Sequence, residues 1–501
     1  MFLVLLIAGI FLAVGKLIQF VKWRRKTDKI FSKLPGPIER HWLWGSYGNM
    51  PEDQNARCDA LIDMCRTHSK ETGFMRVWGI LWTPIIVCCH PSSVRQILRS
   101  SEPKPMNITA GYKTLMDWLG PGLLLTNGDI WARKRRLLTK NFHPTNIKTY
   151  VTSCNESATE YLTKLSMFAD QKQEFDVYLH NKLCMLDIVL RSLVSCKKNV
   201  QFSEQGKLYV QKVRELTEIN ATRLRTPLII PSFLFYQTEM GHTFKRNYEF
   251  LHAFSESIIE ERLADYERRS PDFDGNTPDV LDTLLTARDE NGARLPLLDI
   301  RHEVDGLIIG FDTTSTSCSW ILYMLAEHPE IQERCRRELN NVLGDRDEVE
   351  WADLPNLEYL TMCIKEGLRL YPTIPFVARE TTKDFEVGGV TVPAKTMIAI
   401  NIWMLHHNEN VWGPDHWEFK PERFSKENCS TMDPYTFVPF AAGPRKCIAY
   451  QFAMVMNQIV LARLLQNFVF RMVPGSTTKI FPQTILRAEN GIMMTVERCR
   501  H

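Results

Sequence analysis

Apolar residues recur along most of this chain with the period of an α-helix. From about Asp53 to Leu343 the pattern predicts helices joined by short loops. The longest candidate is Leu297–Leu325, in which small and hydroxyl residues recur on one face. This stripe consists of Gly306, Gly310, Thr313 and Ser317. Either a neighbouring helix packs tightly against the stripe or a flat molecule lies on it, and the stripe alone favours neither interpretation.

Strand signals are few and short. Phe74–Trp78 and Thr83–Cys88 predict one strand pair, and Phe385–Val392 predicts a hairpin with a Gly-Gly turn. Thr396–Ile400 is expected to extend the sheet of that hairpin. We therefore predict a mainly α fold with a small β region.

The N-terminal segment has a different pattern. Phe2–Val21 is almost wholly apolar, and the basic cluster Lys22–Lys26 follows at once. About 20 apolar residues span a bilayer, and the positive-inside rule places such a cluster in the cytosol. A cleaved signal peptide is the alternative, but its charges precede the apolar run. We therefore expect a single-pass anchor over 1–26, a proline-rich hinge over 27–50 and one large domain over 51–501.

Composition narrows the class of protein. The chain has 501 residues, 44% of them hydrophobic, with 61 basic and 58 acidic residues and a net charge of +3. This balance argues against a nucleic-acid partner and against disorder. The 13 cysteines contain no C-x-x-C pair and no metal-ligand spacing, which fits a reducing compartment.

One cysteine stands in an unusual context. Cys447 lies in the loop Phe440–Ala449, which a glycine and a proline break before the apolar helical stretch Tyr450–Leu465. A helix N-terminus and the neighbours Arg445 and Lys446 are expected to lower the pKa of the thiol. An isolated cysteine is more often a small buried residue. A stabilised thiolate, in contrast, suits an axial ligand of haem iron.

The loop context favours the second interpretation. The pattern Phe440-x-x-Gly-x-Arg445-x-Cys447 resembles the haem-binding loop of the cytochromes P-450, and further motifs of that family follow in the expected order. The resemblance covers about residues 35 to 500. It implies the cytochrome P-450 fold, a thiolate-ligated haem b with Cys447 on the iron, and contacts of Phe440 and Arg445 with the haem.

The segment Ile309–Thr314 resembles the oxygen-activation segment of the same family. The resemblance implies that Gly310 leaves room beside the haem and that Thr313 places a hydroxyl near the reacting oxygen. Asp312 would relay protons from solvent, a general-acid role. Taken alone, an acid and two threonines in a helix are usually structural.

Two departures from family 4 of the cytochromes P-450 concern the same segment. A glutamate that bonds covalently to the haem often stands in that family where this chain has Ile309. The segment from Glu303 to Gly310 is also one residue shorter than expected. We therefore expect the haem to be held without a covalent link.

Glu366 and Arg369 are spaced i, i+3 and share one helix face. Taken alone, such a pair is typically an exposed ion pair that contributes little to the stability of the fold. The resemblance implies instead a buried structural pair, which Arg423 joins, on the haem's cysteine side.

Trp131 and Arg135 resemble the family's W-x-x-x-R helix. The resemblance implies that both contact a haem propionate, with Arg379 and Arg445 as further partners. A basic run such as Arg133–Arg136 is ordinarily a solvated helix face. Positive charge is nevertheless expected to meet an acidic electron donor, presented by Arg133, Lys134, Lys140 and Lys446.

The implied activity is monooxygenation of a lipophilic substrate with O2. Electrons would come from NADPH-cytochrome P-450 reductase, with cytochrome b5 as a further candidate partner, at the endoplasmic reticulum membrane and with the catalytic domain in the cytosol. Several segments resemble family 4, whose members commonly hydroxylate fatty acids and eicosanoids at the ω end. They are Trp118–Leu125, Gly128–Trp131, Asn141–His143 and Leu186–Ile188.

The expected substrate pocket is apolar, although any one of its candidate residues is more often plain core. The candidates are Leu115, Leu119, Leu124, Ile308, Ile309, Phe376, Val377 and Ile485. Two other classes of protein stay open: a haem-thiolate isomerase of hydroperoxides and a haem-binding membrane protein without catalysis. Asp312 and Thr313 argue against both, because neither needs a proton relay.

Overall fold

Helices dominate the computed structural model, which describes residues 2–107, 111–268, 278–288, 292–482 and 484–499. The helices are α1 Phe2–Phe31, α2 Gln54–Ser69, α3 Pro91–Arg99, α4 Met116–Leu119, α5 Gly128–Thr139, α6 Pro144–Gln171, α7 Val177–Val194, α8 Glu204–Arg225, α9 Ser232–Phe235, α10 Glu239–Arg268, α11 Val280–Thr286, α12 Leu297–Ile308, α13 Gly310–Glu327, α14 Pro329–Leu343, α15 Glu358–Leu370, α16 Ile402–His406, α17 Glu409–Trp412, α18 Lys426–Thr431 and α19 Tyr450–Asn467. The strands are β1 Phe74–Trp78, β2 Pro84–Cys88, β3 Phe175–Asp176, β4 Phe376–Glu380, β5 Phe385–Val387, β6 Val390–Val392, β7 Met397–Asn401, β8 Phe468–Met472, β9 Ile480–Pro482, β10 Leu486–Ala488 and β11 Met493–Arg498. The predicted mainly α fold with a small β region is confirmed.

The largest sheet has the strand order β1-β2-β7-β4. The predicted β1–β2 pair is antiparallel, and the predicted β5–β6 hairpin turns through Gly388 and Gly389, both at positive φ. The expectation that Thr396–Ile400 extends the hairpin's sheet is wrong, because β7 pairs in parallel with β2. Lys395, in the left-handed conformation at φ 66°, turns the chain away from β6.

The core is centred on α13, which packs against α7, α15 and α19. The sequence pattern predicted one helix over Leu297–Leu325, but the structure divides it at Ile309 into α12 and α13. The hydroxyls of Thr313 and Thr314 donate to the Gly310 carbonyl at 3.0 and 3.2 Å, a local alternative to regular helix bonding. The helices α1 and α10, each of 30 residues, are longer than either half.

The N-terminal helix α1 continues to Phe31, beyond the predicted anchor boundary at residue 26. Among the residues that the structure describes, no helix combines the length and the hydropathy that a membrane span requires. The predicted anchor is therefore not confirmed. Phe31 and Leu34 are buried in a cluster with Trp78 of β1, and the Arg76 N–H donates to the Pro35 carbonyl at 2.7 Å. Part of the predicted hinge thus packs against the sheet.

Candidate functional site

The Cys447 loop is closed against α3 by a glycine. Gly443 has φ 69°, and a Cβ there would lie 1.8 Å from the Leu98 carbonyl oxygen. The Cys447 N–H donates to the Phe440 carbonyl at 3.0 Å, two residues before α19 is capped by Ala449. Ten of the 13 cysteines are buried, two are half-buried, and Cys447 is exposed. The loop therefore presents its thiol to open space.

That open space is internal, because protein atoms surround the exposed thiol. Burial raises the pKa of Cys447 above its usual value, although the Ala449 N–H and the charges of Arg135, Lys104 and Lys446 act to lower it. The expectation that the loop alone favours the thiolate is therefore wrong, since the loss of hydration outweighs the positive neighbours. A bound metal cation deprotonates a coordinating thiol outright.

Arg445 projects from this loop towards α5. It donates to the Thr126 carbonyl at 2.9 Å and to Asn127 Oδ1 at 2.7 Å, and its guanidinium lies 4.0 Å from the centre of the Trp131 ring. Arg135, one turn after Trp131, donates to the Lys446 carbonyl at 2.9 Å. These two motifs, distant in sequence, therefore meet beside Cys447.

Arg379 of β4 adds a third guanidinium. Its side chain is buried, and its resolved hydrogen bond goes to the adjacent Ala378 carbonyl. The Nε atoms of Arg379 and Arg445 are buried without a partner among the described residues. Burial, together with the charges of Arg379 and Arg135, lowers the pKa of Arg445 to about 10. The cluster thus lacks a compensating anion.

These features fit haem. Its two propionates would supply the missing negative charge, and Cys447 would supply the axial ligand. A Cβ added at Gly306 or Gly310 would meet open space, as a flat ring system beside α12 and α13 requires. Arg379, Arg445 and Arg135 would hold the propionates, with Trp131 packed on Arg445. When bound, a thiolate-ligated haem supplies the activation of O2.

The stripe of small residues has two different neighbours along its length. At Gly306 and Gly310 the helix faces open space. At Ser317 it packs against α19, where Asn457 Nδ2 donates to the Ser317 hydroxyl at 3.0 Å. The helix-packing interpretation is therefore confirmed at Ser317, while the open space at Gly306 and Gly310 fits the interpretation that a flat molecule lies there.

Asp312 is completely buried between two cations. Arg487 Nη2 lies 2.5 Å and Lys182 Nζ 2.8 Å from its carboxylate oxygens. Although burial acts to raise the pKa of Asp312, the charges of Arg487 and Lys182 hold it below the usual range. The carboxylate is therefore ionised and has no exposed surface, so a proton relay from solvent through Asp312 stays a prediction and would need further groups between Asp312 and the surface. Thr313, by contrast, is only half-buried, with its hydroxyl on the Gly310 carbonyl.

Glu366 and Arg369 form a completely buried ion pair on α15. Arg369 donates to both carboxylate oxygens, at 2.7 and 2.8 Å, and Arg423 Nε lies 3.4 Å from Glu366 Oε1. Arg369 also donates to the carbonyls of His406 and His416, at 2.9 and 2.7 Å. The three charged residues therefore hold the segment between β7 and the Cys447 loop.

The predicted pocket residues divide by exposure. Leu124 is 40% and Phe376 47% exposed, while Ile309 and Val377 are half-buried. Ile308 is wrong as a pocket residue, because its side chain has no exposed surface and packs in the main core. Little surface is also left on the remaining three candidates, Leu115, Leu119 and Ile485.

The predicted basic surface on α5 is smaller than expected. Lys134 does not face solvent freely, because its Nζ lies 2.5 Å from the buried carboxylate of Glu303 on α12. The same carboxylate accepts the Leu123 N–H at 2.9 Å. Lys140 remains exposed, and Lys446 lies over the Tyr450 ring at 3.3 Å.

Several site residues escaped sequence reasoning. Lys182 lies in the largely buried helix α7 and Arg487 in the buried strand β10, and a charge in such a segment was a usable signal of a buried partner. Lys104, Asn127 and His406 carry no comparable signal, because only the folded chain brings them to the site.

A mainly α fold with one exposed cysteine in a glycine-closed loop, an arginine cluster without an anion among the described residues and an acid–alcohol pair on a divided helix is the arrangement expected of a haem-thiolate protein. The cytochrome P450 family model matches residues 35–496. Cytochrome P450 4F2 of Homo sapiens is 36% identical over 477 residues, which cover 93% of this chain and 90% of that protein. Leukotriene-B4 omega-hydroxylase 3 of Mus musculus is 37% identical over 481 residues, which cover 93% and 89%. The chain belongs to the cytochrome P450 family of monooxygenases, and the resemblance to family 4 is confirmed.

A solved structure shows the same fold. The crystal structure of the cytochrome P450DA heme domain aligns with a TM-score of 0.80 at 22% identity, over 93% of this chain and 98% of that chain.

Proposed function

We propose that this chain is a membrane-associated monooxygenase that hydroxylates fatty acids or eicosanoids at the ω end. The proposal is carried by the turn between α12 and α13. Gly306 and Gly310 border open space, and the half-buried Ile309 directly precedes Gly310 at the division between the two helices. A narrow apolar slot selects a terminal methyl, because positioning overrides the greater reactivity of internal C–H bonds.

Neighbouring side chains support an apolar substrate. Val377 lies two residues before Arg379 on β4 and therefore on the same face as that arginine. Leu124 is exposed beside Arg445's partners Thr126 and Asn127. The similarity to a mouse leukotriene-B4 ω-hydroxylase points to the same substrate class.

The test is incubation with the reductase, NADPH and a panel of fatty acids and eicosanoids, with products identified by mass spectrometry. Ile309→Gly should raise the share of ω-1 product, and Ile309→Val should raise it less. Ile308→Val is the matched control, because it removes the same methyl from a completely buried side chain. An unchanged ω to ω-1 ratio in Ile309→Gly would contradict the role of Ile309.

The same assay separates the two other classes of protein. Turnover of hydroperoxides without NADPH indicates an isomerase. Haem binding without NADPH-dependent product indicates a protein without catalysis.

The haem is proposed to be haem b without a covalent link, because Ile309 offers no carboxylate to a haem methyl. Acid-acetone extraction should leave the protein colourless. Haem that remains on the protein refutes this part of the proposal.

Membrane association is proposed to combine α1 with apolar side chains of the globular part. On α1, Phe11, Leu12 and Leu17 are 60% exposed or more. Ile38, Trp42, Leu228 and Phe233 are at least 72% exposed and would contribute apolar surface to the same membrane contact. We place the protein at the endoplasmic reticulum with its catalytic domain in the cytosol. Alkaline carbonate washing of microsomes should leave the full chain in the membrane, and release of the full chain would contradict the attachment.

NADPH-cytochrome P-450 reductase is the proposed electron donor, with cytochrome b5 as a second one. Lys140, directly after α5, and Lys446 in the Cys447 loop would meet its acidic surface. Lys140→Glu should slow the first electron transfer most at low salt, and a rate independent of salt would contradict this contact.

A further inference from the structure

The loop that precedes α4 brings one more cation to the arginine cluster. Lys104 Nζ donates to the Leu124 carbonyl at 2.7 Å, and its ammonium lies 5.3 Å from the centre of the Tyr112 ring. The Tyr112 hydroxyl in turn accepts the Ala378 N–H at 3.3 Å, next to Arg379. Lys104 therefore lies on the same side of the cavity as Arg379.

Asn127 fixes the position of this lysine relative to Arg445. Its Oδ1 accepts the backbone N–H of Lys104 at 3.0 Å, and its Nδ2 donates to the Lys104 carbonyl at 3.0 Å. The same Oδ1 accepts from Arg445 Nη2 at 2.7 Å. One amide thus ties the lysine's backbone and the guanidinium of the Cys447 loop together.

The charges around Lys104 are unbalanced. Burial, together with the charges of Arg379 and Arg445, lowers the pKa of Lys104 to about 7, and Cys447 acts to raise it. No carboxylate appears among these interacting groups in the described part of the chain. Lys104 is half-buried and lies within electrostatic reach of two guanidinium groups, and an anion bound among these three cations would stabilise them.

We propose that Lys104 binds a haem propionate together with Arg379 and Arg445, and that the hydrogen bonds of Asn127 to the Lys104 backbone hold the lysine in place for this contact. The inference rests on haem binding as part of the proposed function. Lys104 is a positioning residue for the haem rather than a group that acts on the substrate. It lies outside every motif that identified the other propionate partners, so its assignment comes from the fold alone.

The test is the rate of haem transfer from the ferric holoprotein to excess apomyoglobin, followed by absorbance. Lys104→Met should lose haem about tenfold faster, the factor expected when one charge-assisted bond of about 1.4 kcal/mol is removed. Lys104→Arg should restore the wild-type rate, because it keeps the positive charge. The rate of haem transfer from Asn127→Ala should lie between the rates of Lys104→Met and Lys104→Arg. Lys113→Met, in the same loop but on an exposed lysine, should transfer haem at the wild-type rate.

A second readout distinguishes haem binding from loop stability. Lys104→Met should lower the haem reduction potential, because the lost positive charge favours the ferric state. A purely structural lysine would leave the potential unchanged. Wild-type haem loss and potential in Lys104→Met, or failure of Lys104→Arg to restore haem retention, would overturn the inference. A wild-type protein without a thiolate-type reduced-CO spectrum would instead refute the proposed function itself.

Discussion

Arg369 Nη1 lies 2.9 Å from the His406 carbonyl oxygen, and through this bond the buried ion pair of α15 reaches the Cys447 loop. His406 Nε2 accepts the Val438 N–H at 3.1 Å, and the Phe440 carbonyl accepts the Cys447 N–H at 3.0 Å. Burial lowers the pKa of His406 to about 3, so the imidazole is neutral and its Nε2 remains an acceptor. The position of the thiol therefore depends on an ion pair that does not touch it.

Arg369→Lys should impair haem loading before it affects any chemical step. The lysine keeps the charge, but it cannot donate to both oxygens of Glu366 and to the carbonyls that Arg369 binds. Breaking a buried pair in this way costs about 3 kcal/mol. The expected result is a lower midpoint of thermal unfolding and a smaller reduced-CO signal per amount of protein.

The matched control for this change is Arg66→Lys. Arg66 and Asp63 have the same i, i+3 spacing, but both side chains are 63% exposed. Arg66→Lys should change the free energy of unfolding by less than about 0.5 kcal/mol. Equal losses of haem in both variants would contradict a specific role of the buried pair.

His406→Ala should weaken the thiolate spectrum while most of the fold persists. The Val438 N–H would be left buried without an acceptor, at a cost of about 1–3 kcal/mol. We expect a larger fraction of reduced-CO protein without the thiolate band, and partial recovery in His406→Gln, whose amide oxygen can accept. His242→Ala is the control, because that imidazole is 55% exposed on α10. An unchanged spectrum in His406→Ala would show that the position of the Cys447 thiol does not depend on the hydrogen bond between His406 and Val438.

The sequence predicted those parts of the site whose chemistry is local. The i, i+3 spacing of Glu366 and Arg369 and the loop around Cys447 could be read directly, because neighbouring residues determine both. Partners that meet only across the fold could not be predicted from the sequence, because Arg487, for example, lies 175 residues from Asp312. The balance between burial and charge at Cys447 was also misjudged, since loss of hydration depends on packing that no motif reports.

Asp312→Asn should uncouple NADPH oxidation from product formation. The change leaves Lys182 and Arg487 buried without their shared anion, and it removes the acid next to Thr313. The expected result is a lower ratio of product to NADPH consumed, a larger solvent isotope effect and a lower midpoint of thermal unfolding. Lys182→Met separates the two effects, because it removes one cation and keeps the acid: it should raise the pKa of Asp312. Full coupling in Asp312→Asn would exclude the residue from proton delivery.

Asp305, one turn before Ile309, should make the stability of the protein depend on pH. Burial raises the pKa of Asp305 to about 7, against the lowering effects of Ser255 and Arg301, so the folded state holds a proton that the unfolded state releases near pH 4. The resulting stabilisation is complete below about pH 4 and is lost as the pH rises towards 7, by an amount on the order of 4 kcal/mol.

Asp305→Asn tests this dependence, because it keeps the Ser255 contact and cannot ionise. The carboxyl is also faced by Arg301 at 3.3 Å and His252 at 3.8 Å, while Tyr209 and Glu256 lie within electrostatic reach. Burial lowers the pKa of His252 below its usual value, so protonation of that imidazole contributes less to the contrast over this pH range than an ordinary histidine would. The wild-type midpoint of thermal unfolding should fall between pH 5.5 and 8 by more than that of Asp305→Asn. Parallel profiles for the two proteins would show that Asp305 is ionised throughout, with Arg301 as its effective counter-ion.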